Sequence, residues 1–307
     1  MYDIIGDIHG HGLTLEALLK KMGYSNKNGF YQHPTRKAIF VGDLIDRGPN
    51  ILMTLKIAKS MYENGSAFIV LGNHEFNAIC YNTKDENGNF LREHSKKNKT
   101  QYMETDYHVR KSREGVEYYI DWFKTLPIFL EIDGIRVIHA CWDSYYIDYI
   151  KKELPDNKLT NEFLIKSARK GNKEYFAIET LLKGKEIKLP LGQFYFDKDG
   201  HKRKKIRIKW WKKIEQATYK SLIVNVPSQI IDSKVPEKAL KHHQPYLENE
   251  PHIFFGHYWK SGEPQIFANN ACCVDYSIAK HEKLVAYQYN GEKILNNDNF
   301  ISVEDVD

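Results

Sequence analysis

Val41-Gly42-Asp43-Leu44-Ile45-Asp46-Arg47-Gly48 is the stretch on which the reading of this 307-residue chain turns. The apolar run Ala38-Ile39-Phe40-Val41 leads into it and reads as a buried strand. Asp43 then emerges at a strand's carboxyl end, where open α/β sheets place their ligands. Asp43, Asp46 and Arg47 put two carboxylates and a guanidinium within five residues. A carboxylate can bridge two cations, a second one can orient a histidine, and an arginine fork can hold two phosphate oxygens. The combination points to phosphoryl chemistry at metal ions, although Asp and Gly after a strand are also ordinary turn residues when taken alone.

On either side of this segment, strand and helix alternate, the pattern of an α/β fold with a parallel or mixed sheet covered by helices. Strands are expected over 2–6, 38–41 and 66–71, and helices over 14–22 and 50–62. The first strand ends in Asp7-Ile8-His9-Gly10 and the third in Gly72-Asn73-His74-Glu75. A polar, Lys- and Asn-rich excursion from about 82 to 116 leaves the sheet and reads as a lid or wall. A helix over 116–126 is stopped by Pro127, and strands over 128–132 and 135–139, joined by Asp133-Gly134, form a hairpin ending in His139. A longer insertion, from about 143 to 250, carries helices over 161–169 and 175–182 and a hairpin over 192–210 turning at Asp199-Gly200. The apolar strand 252–255 ends in Gly256-His257, and strands near 272–275 and 284–289 lead to an Asn290-Gly291 turn and a short tail.

Five strand ends therefore deliver side chains that suit a metal. Asp7 and His9 stand two apart in extended chain, on one face, so one ion can take both. Asp43, Asn73, His139 and His257 come from the other four ends. Each has an ordinary explanation by itself, as a turn residue or a satisfied histidine, but five coincidences in one sheet do not. The mixture of imidazole, carboxylate and amide oxygen suits manganese, iron or zinc better than magnesium or calcium.

In this order, Gly6-Asp7-Ile8-His9-Gly10, Gly42-Asp43 through Gly48, Gly72-Asn73-His74-Glu75, His139 and Gly256-His257 resemble the calcineurin-like metallophosphoesterases. More narrowly they are similar to the phosphoprotein phosphatase branch, with its bacterial serine/threonine phosphatases and the symmetric diadenosine tetraphosphate hydrolases. The resemblance covers residues 1–81, 117–142 and 250–290 and neither insertion. It implies a four-layered α/β/β/α sandwich, one domain over 1–307 with the insertions as a substrate-selecting cap, and two divalent metals about 3.5 to 4 Å apart, manganese first. It also implies roles. Asp7 and His9 hold the first metal, Asp43 bridges, and Asn73, His139 and His257 complete the second. Arg47 binds phosphoryl oxygens, and His74, hydrogen-bonded to Asp46, protonates the leaving oxygen. The expected substrate is a phosphomonoester such as phosphoserine or phosphothreonine, with dinucleoside polyphosphates, nucleotides or RNA phosphates as the alternative. A non-catalytic binding module on the same fold is disfavoured by the acid placed beside the metals. The phosphatases usually supply a second phosphate-binding arginine, for which Arg203 and Arg207 are candidates.

Composition adds bounds. The apolar fraction of 42% supports a real core, and a net charge of +5 is too small to imply nucleic acid by itself. Residues 183–213 carry twelve Lys and Arg against three Asp and Glu, interleaved with Phe194, Tyr195, Phe196, Trp210 and Trp211. That stretch reads as a half-buried amphipathic hairpin, with a nucleic-acid platform as the less favoured alternative. Cys80, Cys141, Cys272 and Cys273 lack zinc or disulfide spacing, Cys272 and Cys273 are expected to straddle a strand with one side chain in and one out, and Cys141 is expected in the core. His11, His242 and His243 are expected at the surface. The chain opens directly on a strand pattern with no signal-like segment, and no apolar run spans a bilayer, so a cytoplasmic protein without membrane contact is expected.

Overall fold

The structure, a computed structural model, describes residues 1–307 except 197–201, 213–216, 225, 226, 228, 229, 231 and 241–243. The chain begins with β1 (Tyr2–Ile5), α1 (Gly12–Lys21), a small hairpin of β2 (Ser25–Lys27) and β3 (Phe30–Gln32), and β4 (Lys37–Phe40). There follow α2 (Ile51–Glu63), β5 (Ala67–Ile69), α3 (Asn73–Asn82), α4 (Lys96–Arg110) and α5 (Gly115–Lys124). Next come β6 (Phe129–Ile132), β7 (Ile135–Ile138), α6 (Ser144–Glu153), α7 (Asn161–Ala168) and α8 (Lys173–Lys183). The long insertion adds β8 (Glu186–Lys188), β9 (Tyr195–Phe196), β10 (Lys202–Arg203) and β11 (Lys205–Arg207). The chain closes with β12 (His252–Phe255), β13 (Ala271–Cys273), β14 (Lys283–Tyr289) and β15 (Phe300–Glu304).

One sheet has the order β15-β14-β1-β4-β5 and the other β13-β12-β7-β6. In the first, β1, β4 and β5 run parallel, in register Ile4 to Ile39 and Ile39 to Phe68, while β14 is antiparallel to β1. In the second, β7, β12 and β13 run parallel and β6 closes an antiparallel hairpin on β7, as Asp133-Gly134 requires. Alternation along the strands explains the layering. Ile4, Ile39, Val41, Val70, Val137, Phe254, Cys272 and Tyr287 meet between the two sheets, while their neighbours Ile5, Phe40 and Ile69 face α1 and α2. On the outer face of the second sheet, Ile138, Phe255 and Cys273 join a core with Ile147 and Ile150 of α6 and with Trp210 and Trp211. Helices thus cover both sheets, giving α/β/β/α layers.

Several expectations are corrected. In the excursion over 82–116, α4 packs on α2 and α5, with Tyr102, Thr105 and Val109 buried. The expected hairpin over 192–210 is present only between β9 and β10; β11 pairs with β8 instead, and the turn at Asp199-Gly200 lies outside the described residues. Ile187, Ile206, Ile208, Leu222 and Ile223 form a small core of their own, with Lys188, Lys205 and Arg207 exposed on the opposite face. Cys272 and Cys273 do point to opposite faces, but both faces are covered and both thiols are fully buried. Cys141 is buried in the core. His242 and His243 lie outside the described residues.

The expected tail is the edge strand β15, followed by a carboxylate latch. Asp307 accepts the N–H groups of Leu13 and Thr14 at 3.1 and 2.8 Å, the Thr14 hydroxyl at 2.8 Å and the Asn50 amide at 2.8 Å. It therefore supplies from a distance the N-terminal cap that His11, at the start of α1, does not provide. His11 Nδ1 lies 2.9 Å from Asp305, which buries the histidine rather than leaving it at the surface. Among the described residues, no helix is long and apolar enough to cross a membrane.

Candidate active site

The loops after β1, β4, β5, β7 and β12 converge, because parallel strands in two facing sheets bring their carboxyl ends to one side. The backbone there is turned sharply. His9, Asp43, Asp46, Arg47, His257 and Trp259 have φ of 48°, 51°, 69°, 77°, 73° and 50°. Left-handed conformations at bulky residues are costly and persist where surrounding structure overdetermines them, commonly at functional sites. Two glycines show how close the loops pass. A Cβ at Gly72 would lie 2.2 Å from the Asp43 nitrogen, and one at Gly256 would lie 1.9 Å from Asp7 Oδ1. Gly72 before Asn73-His74 and Gly256 before His257 therefore let the motifs interlock.

Asp43 sits at the centre. Its Oδ2 is 3.7 Å from His9 Nε2, 3.4 Å from His139 Nε2 and 3.9 Å from His74 Nε2. His139 Nε2 is also 3.1 Å from Asn73 Oδ1 and 3.2 Å from His257 Nδ1. Two groups able to hold a metal thus share Asp43: His9, Asp43 and His74, and Asp43, His139 and His257. Asp7 lies outside both triples but beside the second, where its carboxylate accepts the His257 N–H at 3.0 Å. The rings are aimed from behind. His9 Nδ1 lies 3.0 Å from the Ile45 carbonyl and His139 Nδ1 2.8 Å from the Val41 carbonyl. Those contacts aim both Nε2 atoms at Asp43; at His139 burial opposes the charged ring, but Asp43 outweighs it and raises the pKa.

The electrostatics call for cations. Asp7, Asp43, Asp46, Glu75 and Asp275 are all at most 3% exposed. Burial, with the charges of Asp275 and Asp43, pushes the Asp7 carboxyl well above its usual range. Burial also favours the neutral ring at His9 and His257, which are held well below an ordinary histidine, aided by the charges of His74 at the first and Arg207 at the second. Their Nε2 atoms are buried without a hydrogen-bond partner. Neutral imidazoles with orphaned nitrogens, set among buried carboxylates, are the donor set a divalent ion satisfies.

His74 differs from these rings. Burial opposes its charge, but Asp43 and Asp46 outweigh that and raise its pKa. Its Nδ1 is 2.5 Å from Asp46 Oδ2, and its backbone N–H donates to Asp43 Oδ1 at 2.9 Å. Four supporting residues escape a reading by motif. Glu75, at the third position of α3, accepts the N–H groups of Asp43, Leu44 and Gly72 at 2.9, 2.8 and 3.1 Å and so fixes the Asp43 loop. Burial and the Asp43 charge raise its carboxyl to about 7. Thr105 of α4 donates its hydroxyl to Asp46 Oδ1 at 2.5 Å and accepts the Asp46 N–H at 3.0 Å. Trp259 stacks under Arg47, with the guanidinium carbon 4.1 Å from a ring centroid, and Asp275 accepts the Trp259 N–H at 2.6 Å. The capping position of Glu75 was visible in the sequence; the other three depend on tertiary contact. Of the two candidate second arginines, Arg207 lies close enough to affect His257, with its Nε donating to the Lys183 carbonyl at 2.6 Å, while Arg203 lies in β10 opposite Tyr195.

Comparison with known proteins identifies the chain's relatives. The bis(5'-nucleosyl)-tetraphosphatase PrpE [asymmetrical] of Oceanobacillus iheyensis is 34% identical over 139 residues, 45% of this chain and 54% of that protein. Its namesake from a Geobacillus species is 51% identical over 73 residues, 24% of this chain and 30% of that protein. The chain thus spans about half, or less, of the length of these curated relatives. A solved serine/threonine phosphatase of Saccharomyces cerevisiae, described as similar to human phosphatase PP5, aligns with a TM-score of 0.48 at 16% identity, covering 98% of this chain and 78% of that one. Residues 2–263 match the calcineurin-like phosphoesterase family, and the chain belongs to that family.

Proposed function

We propose that this chain is a metal-dependent phosphoesterase whose substrate is a dinucleoside polyphosphate. The observation that carries the catalytic part is Asp43 within reach of His9, His139 and His257, beside the His74–Asp46 pair. On this reading Asp7 and His9 hold one divalent ion, Asn73, His139 and His257 hold the other, and Asp43 serves both. The donor set suits manganese first, with iron or zinc as alternatives. Two such ions supply positive charge to the phosphoryl oxygens and lower the pKa of a bound water into a usable range.

The chain's own groups do the rest. Arg47, with its guanidinium carbon over the Trp259 ring, offers its fork of N–H groups to phosphoryl oxygens. His74, with Nδ1–H donating to Asp46, offers its Nε2 proton to the leaving oxygen. Asp46 stabilises the charged ring and is itself held by Thr105. The insertions over 82–116 and 143–250 act as a cap that selects substrate on a single domain over 1–307.

Phosphoserine or phosphothreonine, placed first from the sequence, ranks second. The curated relatives carry the name of tetraphosphatases, and that name specifies asymmetrical cleavage where the sequence resemblance pointed to the symmetric enzymes. The test is a panel at fixed manganese: diadenosine tetraphosphate, a phosphopeptide, p-nitrophenyl phosphate and a 3′-phosphorylated RNA. The highest kcat/KM is expected on the tetraphosphate. A preference for the phosphopeptide overturns the substrate reading, and inactivity on all four overturns the enzymatic one.

A further inference from the structure

Beside the metal centre, one indole carries two cations. The Arg47 guanidinium carbon lies 4.1 Å and Lys280 Nζ 4.6 Å from Trp259 ring centroids, so both cations lie against one indole. Among the described residues, neither Arg47 nor Lys280 forms an ion pair within 4.0 Å. The carboxylates of Asp43, Asp46, Asp275 and Asp7 act on Arg47 from beyond that distance, and Lys280 is exposed.

The ring's position is built rather than incidental. Trp259 has a left-handed backbone, φ 50°, which a bulky side chain rarely adopts. It is held there by the buried carboxylate of Asp275, which accepts the N–H of Trp259 at 2.6 Å and that of Ser277 at 3.0 Å. The Ser277 hydroxyl in turn donates to the Lys260 carbonyl at 2.8 Å. The turn that presents Lys280 runs from Ser277 to His281, both also left-handed at 62° and 60°, and is pinned at its far end by His281 Nδ1, 2.5 Å from Asp305. The left-handed backbone at Trp259, Ser277 and His281 is thus held by the carboxylates of Asp275 and Asp305. Its effect is to stand an indole against Arg47 and to place an ammonium on the same ring, 6.2 Å from the His9 ring to the indole.

We propose that Trp259 and Lys280 form a second-phosphate subsite, Trp259 as positioning residue for Arg47 and Lys280 as direct contact, which selects substrates carrying a linear phosphate chain. Arg47 takes oxygens of the phosphoryl group at the metal centre and Lys280 those of the next phosphate along the chain. A stacked guanidinium keeps its donors in plane, and the ammonium is a point charge free to turn about its stem, a combination suited to a flexible polyanion. This rests on the phosphoesterase reading above and adds to it the reason a phosphate chain is preferred to a single phosphate.

The experiment separates the two. Manganese-loaded protein is titrated calorimetrically with orthophosphate and with tripolyphosphate at constant free manganese, as wild type, Lys280→Gln, Trp259→Ala and Trp259→Phe, and KM and kcat are measured on diadenosine tetraphosphate. Wild type is expected to bind tripolyphosphate more tightly than orthophosphate. Lys280→Gln should reduce that preference by ~10-fold, the scale of one lost charge-assisted hydrogen bond, and raise KM for the tetraphosphate by a similar factor with a smaller change in kcat. Trp259→Ala should weaken both anions, because Arg47 loses its support, and Trp259→Phe should recover most of the loss. An unchanged tripolyphosphate preference in Lys280→Gln, an exposed position where folding is not at stake, overturns the subsite whatever the substrate. A Lys280-dependent preference for tripolyphosphate without hydrolysis of any dinucleoside tetraphosphate leaves the subsite standing, assigns it to inorganic chains, and overturns the substrate reading instead.

Discussion

Replacing Thr105 with valine removes one hydroxyl and keeps the shape and branching of the side chain. That hydroxyl makes two bonds to one residue: it donates to Asp46 Oδ1 at 2.5 Å and accepts the Asp46 N–H at 3.0 Å, at a position only 1% exposed. Valine leaves both Asp46 groups buried without this partner. A bond to a charged acceptor and a neutral one, lost with no water to replace them, together cost about 2–4 kcal/mol. The melting temperature should fall by about 3–6 °C. The catalytic effect should be separable. Asp46 loses one of two anchors, so the His74 ring it orients samples wrong angles, and support of this kind is worth about 10- to 100-fold. The loss should fall on an alkyl phosphomonoester, whose leaving oxygen needs a proton, and much less on p-nitrophenyl phosphate. Thr105→Ser, which keeps the hydroxyl, should restore the alkyl rate. Thermal melts with steady-state kinetics on both substrates decide the matter. If the valine variant is destabilised yet slows both substrates equally, Thr105 is part of the fold only and the chain of support from α4 to His74 is refuted.

Asp43→Asn should lose metal at both positions and most activity, because Asp43 is the one carboxylate common to both triples; elemental analysis showing wild-type occupancy would count against a shared ligand. Chelation should abolish turnover, and manganese should restore it best. His74→Asn should keep its metals and lose roughly 100- to 10,000-fold on the alkyl substrate, with a much smaller loss on the aryl one. Asp307→Ala removes the cap on α1 and should cost about 1–2 kcal/mol, read from denaturant midpoints. The neighbouring latch is acid-sensitive: burial opposes ionisation of Asp305, but hydrogen bonds from His281, the Asp307 N–H and His11 outweigh it and hold its carboxyl below the ordinary value. With the folded pKa depressed, this stabilisation is fully present above the unfolded-state value and is lost as pH falls through the folded one, so Asp305→Asn should flatten the acid limb of a stability profile.

The strand-end motifs were readable because each follows an apolar run that has no other place than a buried sheet, and because the polar residues after it have no packing reason to recur five times. The two sheets' stacking followed from the family resemblance rather than from strand patterns. What escaped has a common cause. Thr105 sits in a Lys- and Asn-rich segment whose only signal is the spacing of Tyr102, Thr105 and Val109, three and four residues apart on one helix face. Helix α6 was announced only by Asp143, whose side chain caps it, and by Ile147 and Ile150. His11 read as a surface residue because its partner, Asp305, is 294 positions away. Local sequence carries periodicity and turn chemistry; it does not carry which distant carboxylate will arrive to satisfy a donor.

The place of β1 in its sheet bears on how the chain is made. β1 is made well before β14, yet it lies between β14 and β4 in the order β15-β14-β1-β4-β5, and its edge away from β4 is paired by residues 286–289. Until those residues are made that apolar edge has one partner, β4, and an open ladder of backbone groups on the other side, the geometry that invites pairing between nascent chains on neighbouring ribosomes. The loop bearing Asp7 and His9 springs from this same strand, and α1 behind it stays uncapped until Asp307 is added. The interval between synthesis of β4 and synthesis of β14 is therefore the one in which the half-built sheet is exposed to aggregation and to chaperones.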